Sequence, residues 1–233
     1  MKGGMKPSIQ AYNTPEKAAD YHAGLQPGSI RDRMLQVTAQ TLRDALPDGG
    51  RVLELGAGTG HLTRKILELN HFAEVLPTDG SEEMLSVARN SMPSVPFQLL
   101  DYFDPDWSQS FSGIRGVVSS LTFHYHPEKS RLFREIHALL PRGGVLVFAD
   151  KIAPDHPLQA SLFDYENARR WLKRHPLPEE VAEVAQKTEA WNRQSGKHLE
   201  TASRLLNHLE RAGFMAGQLW QEHNHAIFAA VRK

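Results

Sequence analysis

The chain has 233 residues, with 27 basic and 27 acidic side chains, a formal net charge of +0 and no cysteine. The length suits one sizeable α/β domain with an appendage, the missing cysteines exclude disulfides, thiolate zinc sites and cysteine nucleophiles, and the even charge gives no reason to expect a nucleic-acid partner. No apolar run approaches the roughly 18 residues of a membrane span, and Met1-Lys2-Gly3-Gly4 lacks the apolar core of a signal peptide, so a soluble, cytoplasmic protein is expected.

Residues 1–28 are polar and rich in Gly and Pro, and read as a tail followed by a short helix near Thr14–His22. Thr14-Pro15 fits an N-cap with proline at the first helical position. Ile30, Met34, Val37 and Leu42 recur at helical spacing over 29–45 and predict a helix packed on a sheet. Strand and helix patterns then alternate: strand 51–55, helix 60–69, strand 73–77, helix 81–90, strand 96–100, strand 115–120, helix 127–139 and strand 144–149. Such alternation predicts right-handed βαβ units and a parallel sheet. Residues 154–197 break the rhythm and read as a polar helical insertion, with Val181, Val184, Thr188 and Trp191 on one helical face. A helix at 199–212 stops at Gly213, and two strands are expected near 214–221 and 224–231.

The most informative run is Val52-Leu53-Glu54-Leu55-Gly56-Ala57-Gly58-Thr59-Gly60. It reads as an interior strand, an acid, and a glycine-rich turn opening a helix. Glycine at alternate positions lets backbone approach a ligand that a Cβ would block, and the helix behind it offers free N–H groups. The spacing G-x-G-x-G, with His61 next, is not the dinucleotide fingerprint G-x-G-x-x-G, and no G-K-[ST] follows. Glu54 repels a pyrophosphate but suits a ligand carrying an ammonium and a sulfonium. That favours S-adenosylmethionine over NAD and argues against a nicotinamide-dependent oxidoreductase.

On this run, and on the ordered elements behind it, the chain resembles the class I S-adenosylmethionine-dependent methyltransferases, strongly over about residues 50–153 and more weakly in the last strand. The resemblance implies a Rossmann-like, doubly wound sheet of seven strands with helices on both faces and an antiparallel last strand inserted into the sheet. It implies one domain over 1–233, with the 154–197 insertion as a substrate lid, and S-adenosylmethionine as cofactor with S-adenosylhomocysteine as product. Backbone at Gly56, Ala57 and Gly58 would face the methionine and ribose, Gly60 would allow close helix–strand packing, and Glu54 would orient the ammonium or hold the loop's N–H groups. Asp79, with Gly80 beside it, is expected to accept the ribose hydroxyls, or else to cap the next helix. Met84 would lie against the adenine or in the core. Asp101 would bind the adenine amino group, with Tyr102 presenting backbone or ring to the base. Ser119, in the exit from the fourth strand, would pass the methionine, and Tyr21 or Tyr12 would fold over the cofactor. Where many relatives have Asp at the start of that strand, this chain has Arg115-Gly116.

His124 and Tyr125 are expected at the mouth of the cleft, with His124 as a general base or as a hydrogen-bonding closure of the pocket. His124-x-His126 and His223-x-His225 raise chelation only as a minor reading, and no metal is expected. The cluster Arg169, Arg170, Lys173 and Arg174 reads as a solvated face or as the receiver of an anionic substrate. The expected function is methyl transfer to the O, N or C of a small-molecule acceptor, with an anionic metabolite as the first choice. The chain also resembles, more faintly, the carboxy-S-adenosylmethionine synthases, and a non-catalytic S-adenosylmethionine-binding module stays open, as does a homodimer.

Overall fold

The computed structural model describes residues 12–233; the part of the expected tail before Tyr12 lies outside them. Helices α1 (Pro15–Ala23) and α2 (Ile30–Ala45) precede the first strand, β1 (Arg51–Leu55). There follow α3 (His61–Glu68), β2 (Glu74–Asp79), α4 (Glu82–Ser91), β3 (Gln98–Leu99), β4 (Ile114–Ser120), α5 (Lys129–Leu139) and β5 (Val145–Lys151). The chain ends with α6 (Pro157–Leu172), α7 (Pro178–Gln194), α8 (Ala202–Arg211), β6 (Phe214–Glu222) and β7 (His225–Arg232).

Local chemistry accounts for several boundaries. The Thr14, Ser29, Ser81 and Thr201 side chains accept the N–H of Lys17, Asp32, Met84 and Arg204, capping α1, α2, α4 and α8. Proline occupies the first turn of α1, α6 and α7, where its missing N–H costs nothing.

The seven strands form one sheet in the order β3-β2-β1-β4-β5-β7-β6. The pairs from β3 to β5 are parallel, and β7 runs antiparallel between β5 and β6. This is the expected doubly wound topology with the last strand inserted. Alternation along the strands divides the core. Leu53, Leu55, Val117, Leu146 and Phe148 pack with α5 and α8 residues on one face. Val52, Val75, Val118, Val145 and Val147 pack with Met34, Leu42, Leu62 and Ile66 of α2 and α3 on the other.

Three departures from the sequence reading matter. β3 shrinks from the expected 96–100 to two residues, because Pro93 and Pro96 donate nothing to a ladder and the strand lies at the sheet edge. β2 runs on to Asp79 and β5 to Lys151, which carries Asp150 and Lys151 to the C-terminal rim. Val184 is buried, but Trp191, expected on the same face, is 58% exposed and faces the Lys197 ammonium at 5.9 Å. Gly116 has a packing reason: a Cβ there would press on Leu46 and Leu42 at 3.3 and 3.4 Å, so glycine lets α2 lie close to β4.

Candidate active site at the C-terminal rim of the sheet

Ligands of open α/β sheets bind beyond the carboxyl ends of the strands, where the strand order reverses. Here the reversal lies between β1 and β4, and a cavity of about 280 Å³ opens there. Gly56, Gly58, Asp79, Gly80, Ser81, Met84, Asp101 and Tyr102 line one part of it. Tyr12, Tyr21, Arg31, His124, Tyr125, Lys151, Lys197 and His225 line the rest.

The glycine loop is held by close packing. At Gly56 (φ +74°) a Cβ would overlap the Thr122 side chain, whose hydroxyl donates to the Ser120 and Gly56 carbonyls (3.0 and 3.3 Å). At Gly60 (φ +83°) a Cβ would strike Met92 and Phe97, so the third glycine serves helix–sheet packing and does not line the cavity. Ala57 donates its N–H to the Thr78 carbonyl (2.8 Å) and faces a small side cavity shared with Arg31, Glu54 and His61.

Asp79 is not the helix cap; Ser81 is. The Asp79 carboxylate instead accepts the N–H of Gly58 and of Ser81, each at 2.8 Å. It thereby ties the glycine loop to the end of β2 and keeps lone pairs for a ligand. Burial raises its pKa against the lowering effect of those backbone donors. Glu54 is buried and its carboxylate accepts the Thr63 hydroxyl at 2.6 Å. Burial pushes its carboxyl up to about 7, opposed by the Thr63 hydrogen bond.

Met84 is buried on the cavity wall, where its terminal methyl would lie 3.2 Å from a Cβ at Gly58. Asp101 accepts the Phe103 N–H at 3.0 Å. The Tyr102 hydroxyl donates to the Thr122 carbonyl (3.0 Å), and its ring joins the core beside His126. The Ser119 expectation needs correction. Its hydroxyl donates to the Leu55 carbonyl at 2.7 Å, the side chain is buried, and strand alternation leaves Ser120 on the cavity instead.

His124 sits on a short 3₁₀ turn, Phe123–Tyr125, just beyond β4. Leu121 enters the turn at φ +55°, a strained conformation held by its N–H bond to the Ala149 carbonyl (2.8 Å). The His124 N–H donates to Asp150 Oδ2 at 2.7 Å, and its ring Nδ1 pairs with Asp150 Oδ1. A carboxylate only accepts, so the ring carries a proton on Nδ1, and in that neutral tautomer Nε2 keeps its lone pair. Nε2 is buried without a hydrogen-bond partner among the described residues. The Tyr125 ring lies 4.2 Å from that imidazole, and burial raises its phenol pKa far above the ordinary range.

Other expectations resolve locally. His126 uses both ring nitrogens, on the Glu128 N–H and on Arg131. His223 uses both as well, toward Asn224 and the Phe163 carbonyl. No group of three metal-binding side chains converges among the described residues. Arg169 and Arg170 share Glu166 and Arg174 pairs with Glu180, so two carboxylates offset half of the charge of that solvated basic cluster. The cations that do line the cavity, Arg31, Lys151 and Lys197, come from elsewhere. With Asp150 they escaped the sequence reading, which raised His225 only as a chelator, although Asp150 and Lys151 end a strand at the rim where ligands bind.

Comparison with known proteins agrees with this architecture. A methyltransferase-domain family model matches residues 53–146. Trans-aconitate 2-methyltransferase of Variovorax paradoxus is 29% identical over 123 residues, covering 52% of this chain and 47% of that protein. An uncharacterized methyltransferase of Bacillus cytotoxicus is 36% identical over 110 residues, 46% of this chain and 49% of its own length. The chain thus spans about half the length of the curated relatives it matches. Among solved structures, the DhpI–SAH complex superposes with a TM-score of 0.64 at 19% identity, covering 97% of this chain and 95% of that one. An S-adenosylmethionine-dependent methyltransferase from Mesorhizobium loti gives 0.57 at 23% identity, covering 85% of this chain and 100% of that one. No helix among the described residues is long and apolar enough to cross a membrane. The motif, the matched domain and the sheet order agree: residues 53–146 match a methyltransferase domain, and the chain shares the fold of solved methyltransferases.

Proposed function

We propose that this protein methylates a hydroxyl of a small-molecule acceptor, with His124 as general base. The observation that carries the reading is the buried His124–Asp150 pair on the wall of the cavity that holds the glycine loop. The cavity fits the cofactor at the points the chain can be tested on. Glycines stand where backbone must come close, and a buried carboxylate ends β2. Asp79 would take the ribose hydroxyls, and Asp101 with the backbone beside Tyr102 would take the adenine edge. Arg31 stands 4.0 Å over the Tyr21 ring and shares the side cavity with Gly56 and Ala57, a position suited to the cofactor's carboxylate.

When bound, S-adenosylmethionine supplies an electrophilic methyl group on a sulfonium and leaves as S-adenosylhomocysteine. The chain's own part is placement and proton removal. Walls from β1, β4 and β5 hold the two reactants together, which converts a bimolecular encounter into a local one. Asp150 keeps the imidazole in the tautomer whose Nε2 accepts the acceptor's hydroxyl proton, and it stabilises the imidazolium that results. The insertion contributes acceptor specificity through Lys197. Its flanking loop is strapped to the base by the His198 N–H, which donates to the His124 carbonyl at 2.6 Å.

The test is turnover with a panel of hydroxy acids, phenols and amines, read as S-adenosylhomocysteine release. Hydroxylated acceptors should turn over, and His124→Asn should lower kcat by about 10²–10⁴-fold while S-adenosylmethionine affinity holds. A variant as fast as wild type would remove His124 from the chemistry.

A further inference from the structure

The strand order serves as a ruler across the cavity. Asp79 ends β2, His124 follows β4, Lys151 ends β5, and His225 starts β7. Neighbouring strands lie about 4.8 Å apart, so Lys151 and His225 sit roughly 14 and 19 Å along the rim from Asp79. They are also cross-strand partners in the β5–β7 ladder, which puts their side chains on one face. Lys197 reaches the same cavity from the loop after α7.

We propose that Lys151, Lys197 and His225 form an anion subsite on the far side of His124 from the nucleotide, and that the acceptor is a small hydroxylated carboxylate. The proposal rests on the methyl-transfer reading and names its substrate class. Neither lysine has a carboxylate within ion-pair distance among the described residues; Lys197 donates only to the Asn192 side chain at 3.2 Å. The nearest negative group in the cluster is Asp150, and it is already committed to His124 and to the Lys151 N–H (2.8 Å). With Arg31 assigned to the cofactor's carboxylate, two ammonium groups against one shared carboxylate leave about one net positive charge, which matches a monoanion better than a dianionic phosphate. His225 Nδ1 is buried without a hydrogen-bond partner among the described residues, and so is free to contribute a neutral hydrogen bond.

The electrostatics of the cluster agree with that geometry. Burial, and then Lys151, pushes the Lys197 ammonium down to about 8. Burial lowers Lys151 as well, with Asp150 opposing. Burial, followed by Lys151 and His223, pushes His225 down to about 3 and keeps it neutral. Crowded cations of this kind gain most from a bound anion.

The test is calorimetric titration of the full chain, first with S-adenosylhomocysteine and then, on the saturated protein, with matched probes. The probes are salicylate, 4-hydroxybenzoate, lactate and glycolate, each beside its neutral amide, with inorganic phosphate as a further arm. At least one carboxylate should bind 10-fold or more tightly than its amide and more tightly than phosphate. Lys151→Met and Lys197→Met should each weaken that carboxylate about 10-fold while leaving its amide and S-adenosylhomocysteine unchanged. Unchanged S-adenosylhomocysteine affinity also shows that the variant is folded, and the Lys197 variant stands if the Lys151 one does not. Binding of no carboxylate, equal binding of acid and amide, a preference for phosphate, or indifference to both substitutions would overturn the subsite. Failure of S-adenosylhomocysteine itself to bind would instead sink the methyltransferase reading.

Discussion

Glu54 shows how one buried side chain couples the site to stability. Its carboxyl ordinarily titrates near 4.5 and is pushed up to about 7 in the fold. Below pH 4.5 it is protonated in both states and costs nothing. Between pH 4.5 and 7 the unfolded chain releases a proton that the native chain keeps, so stability falls as pH rises, by about 3 kcal/mol in all. Glu54→Gln should abolish that slope, and urea denaturation of both proteins from pH 4.5 to 8 checks it; parallel profiles would show that Glu54 titrates normally. Asp79 makes a different prediction. Asp79→Asn keeps the shape but loses the charge and one acceptor, and should weaken S-adenosylmethionine by about 1–3 kcal/mol. Equal affinity in calorimetry would reduce Asp79 to a strut for the glycine loop.

At the scale of elements, the glycine turn and the strand ends decide the site. Gly56→Ala combines a positive φ with a Cβ inside the Thr122 side chain. It should cost about 1–3 kcal/mol of stability and lower cofactor affinity with it. Gly143→Ala also carries a positive φ, but nothing lies within 4 Å of its Cβ, so it should cost only the backbone share and spare binding. Thermal melts with and without S-adenosylhomocysteine separate the two. The turn was legible in the sequence because its glycines and its acid stand side by side in the chain. The His124–Asp150 pair was not: its members lie 26 residues apart, one on the turn after β4 and the other on β5. A strand judged to stop at residue 149, where the apolar run ends, leaves Asp150 and Lys151 outside the site. Ser119 was misplaced for a related reason, since choosing between neighbours in a strand requires its face, and only the register supplies that.

For the whole molecule, the order β3-β2-β1-β4-β5-β7-β6 lays the cavity out in sequence along one rim: Asp79 and the glycine loop at β2 and β1, His124 after β4, Lys151 at β5 and His225 at β7. The topology was legible because alternation of strand and helix patterns leaves few ways to wind a parallel sheet. The cationic end was not, because Lys151, Lys197 and His225 come from three separate segments that only the fold brings together. A ligand held across that rim should stabilise the entire sheet. S-adenosylhomocysteine at 100 times its Kd should add about 2.7 kcal/mol, or roughly 5–10 °C in Tm for a chain of this length. The most direct measurement is calorimetric titration of the folded protein with S-adenosylmethionine, S-adenosylhomocysteine and NADH. Micromolar binding of the first two and none of NADH is expected; a folded protein that binds neither of the first two would contradict the cofactor assignment.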